Sequence, residues 1–100
     1  MDKYTVKLYP RAYRDLDSIY SYIANRLSEP VTAENIIVSV ENAILSLEQF
    51  PERGAIRKTS IYANQNYRQL IVKNYLIIYK VIKEQNEVHI VTVRYAASIF

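Results

Sequence analysis

The chain has no cysteine and no tryptophan, and only one glycine, one methionine and one histidine among its 100 residues. Without cysteine there is no disulfide framework, no thiolate nucleophile and no cysteine-bound metal centre. A single histidine, His89, excludes a histidine metal cluster and forces any serine–histidine–aspartate triad through that one side chain. So little glycine, with three prolines, excludes collagen-like and low-complexity organisation. There is no glycine-rich phosphate loop and no metal-ligand spacing, so neither cofactor nor metal is expected. No run approaches the roughly 20 apolar residues of a membrane span. The opening Met1-Asp2-Lys3-Tyr4 lacks a basic segment followed by an apolar one, so no secretory leader is expected and the chain reads as cytoplasmic.

What is present fits one folded unit spanning residues 1–100. Half of the residues are hydrophobic and 23% are charged, enough for one core without wholesale disorder. The net charge of +3 is unevenly divided. Residues 1–50 carry five basic and seven acidic groups, net −2, and residues 51–100 carry eight and three, net +5. An asymmetry of this kind fits either a polyanionic partner or an ordinary solvated surface.

Periodicity orders the elements. Residues 4–9 alternate, with Tyr4, Val6 and Leu8 on one face, which predicts a half-buried strand. Pro10 stops that strand and can open a helix, because its missing N–H costs nothing in a first turn. Ala12, Leu16, Ile19, Tyr20, Ile23 and Leu27 form one stripe of a helix over residues 11–27. Pro30 ends it. A second helix over residues 32–49, N-capped by Thr32, carries Ala33, Ile36, Ile37, Val40, Ile44 and Leu47 on its stripe. Residues 51–66 are polar and irregular. Strands follow over residues 67–72, 75–82 and 88–95, with short connections that predict an antiparallel meander. The order is β-α-α-β-β-β. It defines an α+β fold: an antiparallel sheet with a helical hairpin packed on one face and the other face partly exposed.

Two arginines stand on strand faces that are otherwise mainly apolar. Strict alternation places Arg68 with Leu70 and Val72, and Arg94 with Val88, Ile90 and Thr92. An unpaired buried guanidinium is costly, so either these groups capture an anion such as phosphate or they pair with helix carboxylates such as Glu41 or Glu48. Arg53, Arg57 and Lys58 in the polar loop are further phosphate-binding candidates. Of the ten tyrosines, Tyr4, Tyr20 and Tyr79 fall on predicted core faces. Tyr62, Tyr67 and Tyr95 lie beside the basic loop or near the last residues, where a ring can stack on a base. His89 reads as a structural or surface residue, and Glu52 as a loop carboxylate or a general base.

The same residues resemble the RelE/ParE superfamily of type II toxin–antitoxin toxins over nearly the whole chain. The resemblance runs through Pro10-Arg11-Ala12, the stretch from Asp15 to Ala24, Phe50-Pro51-Glu52-Arg53-Gly54, Tyr67-Arg68-Gln69-Leu70, the stretch from Tyr75 to Val81, and Val93-Arg94-Tyr95. It implies a bacterial toxin held inactive by a cognate antitoxin, bound through an amphipathic, acidic segment. RelE-like members cleave mRNA in the ribosome, and ParE-like members inhibit DNA gyrase without cutting anything. In the ribonuclease reading, to which the residues incline, the 2′-OH attacks the adjacent phosphate. Arg68 and Arg94 stabilise the developing charge, Tyr95 transfers a proton, and Arg53, Arg57, Lys58 and Tyr67 hold the RNA. In the gyrase reading the same chain needs a binding surface and no catalytic set.

Overall fold

The computed structural model describes residues 3–57 and 67–99, with the side chains of 98 and 99 left aside. Helix α1 (Pro10–Ser21) opens on its proline, with Tyr9 extended as N-cap. The periodic stripe beyond Ser21 does not continue as α-helix. Tyr22–Arg26 widens into a π-turn, in which the Leu27 N–H reaches the Tyr22 carbonyl at 3.1 Å. The chain then reverses through Ser28 at φ 54°, leaving Leu27 exposed instead of on the apolar stripe. Helix α2 (Pro30–Ser46) starts two residues before the expected cap. Pro30 opens it as Pro10 opens α1, and Thr32 caps nothing: its hydroxyl donates to Glu29 Oε2 at 3.2 Å.

Among the described residues five strands follow the order β1-β5-β4-β3-β2. They are β1 (Thr5–Leu8), β2 (Ala55–Ile56), β3 (Arg68–Val72), β4 (Tyr75–Ile82) and β5 (Glu87–Tyr95). The sheet is antiparallel except at one edge, where β1 pairs with β5 in parallel. The helical hairpin separates β1 from the meander in sequence and returns the chain in that sense. The two-residue β2 was not expected from the pattern, since two pairs, Ala55–Gln69 and Ile56–Arg68, leave no periodicity to read.

The helices cover one face. Val40, Ile44 and Leu47 of α2 and its exit, and Ala12 and Leu16 of α1, pack on Ile77, Tyr79, Val88, Ile90 and Val93. Tyr4 and Tyr79 join this core as expected, but Tyr20 turns outward and is 42% exposed. The opposite face is less bare than the pattern implies, because Leu76 and Ile78, which alternate with the core residues, are also buried. A bulge in β5 changes the alternation read from sequence. Ile78 faces Thr92 and Tyr79 faces Ile90, so Val91 is an extra residue. Beyond the bulge, Val93 and Tyr95 oppose Ile77 and Tyr75 and join the face of Val88 and Ile90, while Arg94 opposes Leu76. Among the described residues no helix is long and apolar enough to cross a membrane.

Candidate functional site

Arg68 begins β3 opposite Tyr79, on the helix-covered face. Its Nη1 donates to the Gly54 carbonyl at 2.7 Å and the Glu52 carbonyl at 3.3 Å, and its Nη2 meets Glu52 Oε2 at 3.3 Å. Lys83 reaches the same carboxylate oxygen at 3.2 Å. The Tyr79 hydroxyl, at the bottom of this corner, accepts the Gly54 N–H at 2.9 Å. Burial pushes the Tyr79 phenol up, against the opposing pull of that hydrogen bond and of Arg68. Arg68 therefore braces the segment after α2 against the sheet. Its partner is a loop carboxylate, not Glu41 on α2 or Glu48 just past its end, and Glu52 is held between two cations.

Arg94 and Tyr95 end β5, past the reach of β1, which pairs only as far as Ile90. α1 closes this stretch of edge. Asp15 Oδ2 accepts the Val93 N–H at 3.0 Å and the Thr92 hydroxyl. Arg94 Nε approaches the same Thr92 oxygen at 3.5 Å, so a carboxylate and a guanidinium flank one hydroxyl. Tyr95 packs edge-on against Tyr75, ring centroids 5.5 Å apart. Burial raises the Tyr75 phenol, and the neighbouring Tyr95 and Tyr22 raise it further.

These two regions do not converge. Arg68 lies opposite Tyr79 and Arg94 opposite Leu76, on opposite faces of the sheet. Three residues along the strands and two strand spacings across separate their backbones by roughly 14 Å. The loop cations are dispersed too. Arg53 donates to Ser46 Oγ at 2.6 Å. Arg57 is 8% exposed and donates to Gln69 Oε1 at 2.7 Å. Tyr67 lies under the Lys80 ammonium, 5.5 Å from the ring centre. Lys58 and Tyr62 lie outside the described residues. Among the described residues no group of histidine, aspartate and glutamate could hold a metal ion.

One cluster escapes the sequence pattern. His89 Nε2 meets Glu87 Oε1 at 2.8 Å, and Nδ1 meets the Tyr9 hydroxyl at 3.1 Å. Lys7 Nζ stands 2.8 Å from Glu87 Oε2. The hydrogen bonds from Lys7 and His89 hold the Glu87 carboxyl below its ordinary value. The pairing of β1 with β5 places Lys7 opposite His89, which no local spacing reveals.

A helical hairpin on a five-stranded, mostly antiparallel sheet is the architecture of the RelE/ParE toxin superfamily. Within it the chain belongs to the ParE toxin family of type II toxin–antitoxin systems, parDE, whose model matches residues 6–100. It is similar to a chain of the chromosomal ParDE system from P. aeruginosa (TM-score 0.76, 21% identity, covering 95% of this chain and 98% of that one). The RelBE2 toxin–antitoxin complex from Mycobacterium tuberculosis contains a chain similar at TM-score 0.66 and 23% identity, covering 95% of this chain and 93% of that one. A mutant E. coli RelE toxin in the free state is similar at TM-score 0.67 and 15% identity, covering 97% and 87%. At these identities the likenesses carry the fold. No curated protein matches the chain.

Proposed function

We propose that this toxin acts by binding its target, as a ParE-like inhibitor of DNA gyrase, and not by cutting RNA. The observation that carries the reading is the divergence of Arg68 and Arg94. Phosphodiester cleavage needs preorganised cations aimed at one phosphate. Here one arginine is tied to Glu52 and Gly54 on one face, and the other stands beside Thr92 on the opposite face. Membership of the ParE family supports the same choice. The antitoxin is an amphipathic chain, and a groove of about 620 Å³ between α1 and α2 suits its apolar side. Tyr13, Tyr20 and Leu45 line that groove and are exposed. Asp17 and Glu41 are also in its lining, so the acidic part of the antitoxin falls elsewhere, toward the basic second half of the chain.

The test is induction in bacteria, with transcripts mapped by primer extension and DNA breaks scored in parallel. The expected result is SOS induction with intact transcripts, and inhibition of gyrase supercoiling by the purified protein. Codon-phased transcript cuts that disappear in Arg68→Ala would establish the ribonuclease instead.

A further inference from the structure

A cavity of about 670 Å³ lies between the end of α1, the π-turn and the last residues of β5. That volume is within the roughly 300–1,000 Å³ of small-molecule sites. Its walls are three tyrosines, Tyr22, Tyr75 and Tyr95, with an aliphatic floor that includes Ile23 and Val93. Tyr22 and Tyr95 are about half exposed, so their ring faces can be reached from solvent. Asp15 and Arg94 also line it.

The polar pair has a definite donor and acceptor pattern. Both bonds made by Asp15 use Oδ2, and among the described residues Oδ1 carries no hydrogen bond. Arg94 uses only Nε, toward Thr92 Oγ1, and both of its Nη groups are without a partner among the described residues. One oxygen acceptor thus stands beside a two-pronged donor, joined through a single threonine hydroxyl and walled by aromatic rings. A bare phosphate is a poor match, because the Asp15 carboxylate stands closer to Thr92 than the guanidinium does. A planar ring that offers N–H on one edge and two acceptors on the next is a good match. Among nucleobases guanine has that pattern: O6 and N7 accept from an arginine fork, and the N1 and N2 hydrogens are donors. Stacking on tyrosine supplies the remainder of the binding energy.

We propose that this cavity binds an unpaired guanine base, with Arg94 donating to its O6/N7 edge, Asp15 accepting from its N–H edge and the tyrosines stacking on its faces. The inference is independent of the gyrase reading, since it concerns a ligand and not the target.

The experiment is an amide-resonance titration of the intact toxin, following the residues around Ile23 and Val93. Four probes are used: guanosine monophosphate, adenosine monophosphate, uridine monophosphate, and short single-stranded oligonucleotides with or without one guanine. Saturable shifts are expected with guanine, with adenine and uracil roughly tenfold weaker. Arg94→Gln should weaken guanine binding roughly tenfold, and Tyr22→Ala should also weaken it, while both variants keep the wild-type spectrum elsewhere. Binding of the mononucleotide identifies a free nucleotide as the ligand. Binding of the guanine oligonucleotide alone identifies an exposed base in a strand. Equal shifts from all three mononucleotides, unchanged affinity in Arg94→Gln, or no saturable shift with any probe would overturn the proposal.

Discussion

Gly54 shows what one residue decides at this scale. A Cβ built there would stand 2.5 Å from the Gln69 carbonyl oxygen and 2.6 Å from the Tyr79 hydroxyl. The carbonyl belongs to a paired strand and cannot swing away as a side-chain end can. Gly54 has no positive φ to require it, so the constraint is space alone. Gly54→Ala should therefore push the segment off the sheet and weaken both the Tyr79 bond to the Gly54 N–H and the Arg68 bond to the Gly54 carbonyl. The expected loss is roughly 1–3 kcal/mol, as for other overpacked sites. Urea denaturation measures it. The sole glycine was visible in the sequence, but its role was not, because the atoms it admits come from positions 69 and 79.

Among the elements, the β3–β4 hairpin turns on two residues in the left-handed region, Lys73 at φ 51° and Asn74 at φ 68°. That is the I′ geometry, whose twist matches the flanking strands. Asparagine tolerates it, whereas lysine does so at a cost. Lys73 is exposed, and among the described residues its side chain has no hydrogen bond or ion pair that would offset the strain. Lys73→Asn should stabilise the protein by about 0.5–1 kcal/mol, read as a higher urea midpoint at unchanged slope. This turn was legible in the sequence to the residue, as were the strand starting at Tyr75 and the opening of α1 at Pro10, because each depends on local chemistry, whereas Pro30 read as the end of the first helix and in fact opens the second. The π-turn after Ser21 and the bulge at Val91 were not. Both arise where tertiary contact overrides a local period: the first lets α1 hand over to α2, and the second brings Val93 onto the core face beside the Asp15 carboxylate. The bulge alone moved Arg94 away from the face of Val88 and Ile90. The reading of two arginines on similar apolar faces failed on that single extra residue.

For the whole molecule, protection should follow the layering. β4 lies at the centre of the sheet, and its residues 76–79 are buried on both faces. β2 is two residues at an exposed edge. Amides of residues 77–79 should exchange only on global unfolding, and that of Ile56 through local opening, a contrast hydrogen exchange resolves directly. Comparable protection at both places would mean that the sheet unfolds as one unit from edge to edge.

The parallel seam of Thr5–Leu8 with Glu87–Ile90 has a consequence for biosynthesis. β1 has a mate that is translated some eighty residues later, several seconds at about 5–20 residues per second. Until then β1 is an orphan, and the edge it will cover does not exist. A chain stopped short of residue 87 therefore cannot close its sheet. The sheet, and with it any surface that a target or an antitoxin recognises, is completed only once residues 87–95 have been made.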